Sequence, residues 1–179
     1  MAGIDVSLRP YAEGDMWVLE KTLGDPSQMV HLNGPESEEK LRERHKKFLA
    51  MSADSGAGCM YTITIGPENV AVGNVGYWET EWDRQEGWET GWFVLPEFQG
   101  KGIATAGTRV LASRVAKLGR SFLFAYPSVN NLPSNAICRK LGFILTGVTE
   151  SEYPPKSGKT LRVNVWRLDL KAFEAARVV

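Results

Sequence analysis

The sequence lacks any apolar run that approaches the length of a membrane span, and its first residues lack the apolar core of a secretory leader. It also lacks a charge excess: Lys and Arg number 21, Asp and Glu 21. That balance removes the global attraction that draws basic chains to nucleic acid or to anionic membranes. Cysteine is scarce. Cys59 and Cys138 have no metal-like spacing, so two reduced thiols in a cytoplasmic protein are expected, and no metal. Repeats, low-complexity tracts and interdomain linkers are missing too. The 179 residues are therefore expected to form one domain over 1–179, long enough to bury a full core.

Two nucleotide-binding patterns are absent as well. A P-loop would need glycine five residues before Gly158-Lys159-Thr160, where Tyr153 stands, with two prolines between. A Rossmann fingerprint finds its first two glycines in Gly100 and Gly102, but its third falls on Thr105.

What is present is the stretch Glu89–Ala104, ETGWFVLPEFQGKGIA. It reads as an apolar strand, a proline, a glycine-rich turn and a helix start. A helix start of this kind presents unpaired backbone amides at the positive end of the helix dipole, which favours an anion such as phosphate. Gly100 and Gly102 let the backbone turn tightly and let a phosphate approach the amides.

Around this stretch the chain alternates elements. Asp5–Pro10 reads as a strand, and Asp15 as the N-cap of a helix carrying Trp17, Val18 and Leu23. Ser37–Lys40 opens a charged helix to about Ala50, with Leu41, His45, Phe48 and Leu49 on one face. Met60–Ile65 and Val70–Trp78 pair across the turn Gly66–Asn69, with a bulge or close backbone approach at Gly73 and Gly76. The polar segment Glu79–Gly87 leads to the strand Trp88–Leu95. A helix follows the glycine loop and ends at Gly119; Ser121–Tyr126 reads as a buried parallel strand. A helix capped by Asn131 or Ser134, the strands Phe143–Thr149 and Thr160–Leu170 with the loop 154–158 between them, and a short tail complete the chain. The class is α/β, a mixed sheet with helices on both faces.

Gln99, Gly102 and Ala104 fill the pattern Q-x-x-G-x-A, which resembles the pyrophosphate loop of the GCN5-related N-acetyltransferases, the GNAT superfamily. Asn131-Leu132-Pro133-Ser134, followed by Lys140-Leu141-Gly142-Phe143, resembles the family's later motif N-x-x-S/A…K-x-G-F. Leu8-Arg9-Pro10, Asp15 and Gly24-Asp25-Pro26 resemble the opening of the ribosomal-protein-type N-terminal acetyltransferase subgroup. The resemblance covers essentially the whole chain. It implies the GNAT fold, with about seven strands and a splayed strand pair that holds acetyl-CoA as co-substrate.

It also implies roles. The loop Gln99, Gly100, Lys101, Gly102, Ile103, Ala104 and Thr105 would hold the cofactor pyrophosphate, largely through backbone amides. A backbone amide at Val94 or Leu95 would polarise the thioester, since Pro96 has no N–H. Both residues would pair with the pantetheine arm as with an added strand, and Asn131 would bind that arm. Glu89, flanked by Trp88 and Trp92, would deprotonate the amine or orient it; apolar neighbours raise a carboxylate pKa toward the range of a base. The acid that protonates the leaving thiolate would be Ser134, matching a subgroup serine, or Cys138, which stands where many members carry tyrosine. Tyr126 is a further candidate. The first two helices would form one wall of the acceptor site.

Glu79, Glu81, Asp83, Glu86 and Glu89, interleaved with tryptophans and offset only by Arg84, suggest an acidic, aromatic-lined mouth for a cationic amine. The acceptor is expected to be a protein or peptide N-terminus or a small amine; an acyl-CoA-binding module without catalysis is the alternative. The family relation also allows a homodimer.

Overall fold

The computed structural model describes residues 4–53, 56–153 and 157–176, so Pro154, Pro155 and Lys156 of the expected loop lie outside it. Seven strands form one mixed sheet: β1 (Val6–Pro10), β2 (Gly58–Ile65), β3 (Val70–Trp82), β4 (Gln85–Val94), β5 (Phe122–Ala125), β7 (Thr160–Asp169) and β6 (Ile144–Glu152), in that spatial order. Every neighbouring pair is antiparallel except β4 and β5.

Side chains alternate across a sheet, so each strand feeds two cores. On one face Val75, Tyr77, Trp88, Val94 and Leu123 pack with α3 (Ile103–Val115), α4 (Leu132–Lys140) and α5 (Leu170–Ala175). On the other face Met60, Trp78 and Phe93 pack with α1 (Met16–Thr22) and α2 (Glu38–Ala53). The second cluster is the smaller, and it receives Tyr153 from the far end of β6. No helix among the described residues is long and apolar enough to cross a membrane.

Three sequence expectations change. The polar segment after Trp78 is the end of a long hairpin: β3 and β4 stay paired out to Trp82 and Gln85. Asp83 (φ 48°) and Arg84 (φ 60°) close it, both left-handed, as a two-residue turn between twisted strands requires. The C-terminal tail is helical: Asp169 accepts from the Ala172 amide at its start, and Leu170 and Phe173 are buried. Asp15 does not cap α1 with its side chain. Its carboxylate instead takes two bonds from Arg9 (2.6 and 2.7 Å) and one each from Thr62 (2.7 Å) and the Ala12 amide (2.9 Å). Burial alone would raise its pKa, but these bonds outweigh burial and hold it below the ordinary carboxylate range. The bulge or close approach expected at Gly73 and Gly76 is present: the register shifts between Ile63 and Thr64, opposite Gly73 and Ala71, and a Cβ would stand 2.2 Å from the Phe93 carbonyl oxygen at Gly73 and 2.9 Å from the Cys59 carbonyl oxygen at Gly76.

Candidate active site

The sheet opens at one place. β4 and β5 pair only at Trp88–Leu123 and Glu89–Phe124. Beyond that the chain after β5 follows β7: the Asn164 amide donates to Pro127 O and the Val129 amide to Arg162 O, each at 3.0 Å. β4 keeps its bonds to β3 instead, ending with the Leu95 amide on Val72 O at 2.9 Å. A wedge results, with one edge of β4 uncovered.

Ladder bonds alternate sides along an antiparallel strand. Leu95 faces β3, so Val94 turns its N–H to the wedge. Of the two amides expected to meet a thioester, the one on Leu95 is already committed. Gln99 caps the strand end by donating its amide to Val94 O (3.0 Å), and it also reaches Gln28 between α1 and α2 (2.5 Å).

The loop then turns through Gly100 (φ 72°) and Gly102 (φ 81°), conformations that cost a residue with a Cβ. The first helical bond of α3 runs from the Ala106 amide to Gly102 O. The amides of Ile103, Ala104 and Thr105 precede it and point out of the helix start. The Ile103 side chain is buried beneath them. Lys101 bends back, its Nζ donating to Glu97 O (2.9 Å) over the Phe98 ring (5.3 Å). These glycines, exposed amides and open strand edge fit a pyrophosphate followed by an extended arm.

A sequence model described as acetyltransferase (GNAT) domain matches residues 5–144. The chain belongs to the GNAT acetyltransferase family. Its fold recurs in the spermidine N-acetyltransferase of Vibrio cholerae in complex with CoA and spermine (18% identity, TM-score 0.74, 94% of this chain and 98% of that one). It recurs in the Salmonella typhimurium acetyltransferase that modifies the N-terminal serine of ribosomal protein L7/L12 (22%, TM-score 0.72, 92% and 94%). A GNAT-family acetyltransferase from Bacillus anthracis gives 17% identity and a TM-score of 0.72 over 93% and 95% of the two chains.

In this acetyltransferase, Glu89 lies where the wedge opens, on the face of α1 and α2. It stands opposite Trp78 on β3, and Trp88 and Trp92 point to the other face. The apolar surroundings expected from its sequence neighbours come from β3 and β5 instead. Burial pushes the Glu89 carboxyl up to about 7, against partial relief from the Trp78 indole, Lys47 and the Thr80 hydroxyl. Tyr126, at the end of β5, is raised by burial, and the nearby Glu89 charge adds to that.

Ser134 and Cys138 lie on α4, on the opposite side of the wedge. Asn131 caps that helix, its Oδ1 accepting from the Ser134 amide (3.1 Å), so Nδ2 is the Asn131 group left to meet a ligand. Ser134 is partly exposed. Cys138 is wholly buried among α3-side core residues, and burial pushes its thiol up to about 12.

Sequence reading missed Asn135. This buried amide donates to Ser128 O (2.9 Å) and Asn131 O (2.8 Å) and accepts from Asn164 Nδ2 (2.7 Å) and Trp166 Nε1 (2.8 Å). It ties α4 to the strands behind the wedge. Asn135→Leu would take the acceptor from Asn164 Nδ2 and Trp166 Nε1, while Ser128 O and Asn131 O keep their backbone donors, and a loss of about 2–3 kcal/mol is expected, read from the denaturation midpoint. A loss under 1 kcal/mol would mean that water satisfies the network as well as Asn135 does.

The acidic mouth divides between the two faces. Glu79, Glu81 and Glu86 share the face of Trp88, away from Glu89. Arg120, also unforeseen, pairs with Glu79, approaches Glu86 at 3.8 Å and stacks on Trp88 at 4.7 Å. The face of α1 and α2 is roofed by other residues. Asn33 Nδ2 donates to Tyr153 O (2.8 Å), and Glu36 receives both the Arg44 Nε (2.9 Å) and the Tyr153 hydroxyl (3.3 Å).

Proposed function

We propose that the enzyme moves an acetyl group from acetyl-CoA to a primary amine by direct attack within a ternary complex, with Glu89 as the base. The observation that carries this is a carboxyl held near neutrality at the mouth of the wedge. A base titrating at the working pH is charged often enough to accept a proton and weak enough to release it. The amides of the Gln99–Thr105 loop would hold the pyrophosphate, the open edge of β4 would pair with the pantetheine arm, and the Val94 N–H would meet the thioester oxygen. Bound acetyl-CoA supplies the activated acyl group. Ser134, on the α4 side, would give the departing thiolate its proton; the closed packing around Cys138 disfavours that thiol. The acceptor is a peptide N-terminus or a small amine that enters from the face of α1 and α2.

Thermal-shift titration tests the cofactor half. Acetyl-CoA at a hundred times its Kd should stabilise the fold by about 2.7 kcal/mol, a Tm rise of roughly 5–10 °C, while NADH and ATP should not. A shift with NADH instead, or none with acetyl-CoA, would overturn the loop assignment.

A further inference from the structure

The end of the β3–β4 hairpin leans across the acceptor face. Gly87 permits this: a Cβ there would stand 2.6 Å from the Phe124 ring. Gln85 is held by Arg167 on β7 (2.9 Å), and Trp82 reaches as far as β6, where a Cβ on Gly147 would lie 3.8 Å from its indole. The Trp82 ring meets Tyr126 at 6.3 Å and 60°, and Tyr126 stacks on Phe124 at 6.4 Å and 14°. Trp82, Tyr126 and Trp78 are each partly exposed and sit on the same face as Glu89. The charges on this face do not suit a polycation. Glu79, Glu81 and Glu86 are on the other side of the sheet, Glu36 is occupied by Arg44, and Lys47 is the cation acting on Glu89.

We infer that Trp82 and Tyr126 form a slot that selects the acceptor: an amine carried next to an aromatic or apolar group, not a polyamine. The inference rests on Glu89 receiving the amine. With the nitrogen at Glu89, the substituent beside it meets the two rings, which gain from burying flat apolar surface against them. A polyamine would bring further charges to a wall where, among the described residues, Glu36 is already paired with Arg44 and Glu79, Glu81 and Glu86 face away. The same chemistry occurs in a free arylalkylamine and in a peptide that begins with phenylalanine, and size separates the two.

The test compares kcat/KM for tryptamine, a phenylalanine-initiated tetrapeptide, a serine-initiated tetrapeptide and spermidine. At least one of the first two should exceed both of the others by about tenfold or more. Trp82→Ala should raise KM for the favoured amine by about tenfold without changing KM for acetyl-CoA, and Trp82→Phe should restore most of the loss. Gly147→Leu, which fills the space beside the Trp82 ring, gives a second variant that leaves Trp82 in place. Preference for spermidine or the serine peptide, or equal losses on all four amines in Trp82→Ala and Gly147→Leu, would overturn the inference. Amine binding to Glu89→Gln, followed by tryptophan fluorescence, separates the two readings. Selective binding with unaltered turnover would remove Glu89 as base and keep the slot; unselective binding with lost turnover would do the reverse.

Discussion

Replacing Glu89 with glutamine is expected to lower kcat by about 10²–10⁴-fold while leaving the Kd of acetyl-CoA unchanged. The two side chains have the same shape, so the loss would report the proton acceptor. The pH dependence gives a second signature. With Glu89 titrating at about 7, the wild-type log(kcat/KM) should climb with unit slope below that pH and bend there. The acceptor's own ionisation contributes to both enzymes, so the wild-type and variant profiles must be compared with the same amine; the bend belongs to Glu89 only if glutamine removes it. Stability should move in the opposite direction. A carboxyl raised from 4.5 to about 7 in the folded state gives a fold that is fully stabilised below 4.5 and loses stability as pH rises to about 7. The loss amounts to roughly 3 kcal/mol. Glutamine has no such loss, so the inactive variant should melt above the wild type at pH 8 and close to it at pH 4. A glutamine variant with full activity and an unchanged bend would leave Glu89 as an orienting group at most.

The parts of this site that depend on local sterics were legible in the chain. Gly100 and Gly102 announce a left-handed turn before a helix, and the turn is there. The parts that depend on pairing between distant segments were less so. Asp83 and Arg84 lack the Asn-Gly signature of a tight hairpin, and the cross-strand contacts of Trp78–Trp82 hold the turn. Had the strand been read through to Trp82, alternation alone would have parted Glu79 and Glu81 from Trp78, Thr80 and Trp82. The acidic mouth would then have dissolved at the sequence level. Asp15 shows the same limit in a single residue: its position before a helix is what a cap requires, yet Arg9 and Thr62 take it into the sheet. The helix α5 spans six residues, too few for a period to show, and its signals were Asp169 and the i, i+3 pair Leu170 and Phe173. Asn135 and Arg120 gave no local signal, because their partners come from strands remote in sequence.

Breaking the Glu36–Arg44 pair should give the largest change in stability away from the wedge. Glu36 has 1% of its side chain exposed and Arg44 21%, and the guanidinium engages both carboxylate oxygens. Arg44 also lies between the rings of Tyr153 (5.9 Å) and Phe48 (6.0 Å). Burial pushes the Tyr153 hydroxyl up to about 12, so it stays protonated and can donate to Glu36. Glu36→Ala removes the partner of a largely buried cation, and a cost of about 3–5 kcal/mol is expected, with Tm falling by roughly 10 °C. Glu36→Leu combined with Arg44→Met should recover most of that loss, because well-packed apolar side chains replace a buried ion pair at little net cost. The double variant then separates stability from function. Glu36 is bonded through its amide to Leu23 O (2.9 Å) and through its carboxylate to Tyr153, so the pair joins the segment after α1 to the far end of β6 on the face of α1 and α2. If that junction shapes the acceptor site, the stable double variant will still show a raised KM for the amine and a normal KM for acetyl-CoA. Normal values for both substrates would confine the pair to holding the fold, and a cost under 1 kcal/mol for Glu36→Ala would remove it even from that role.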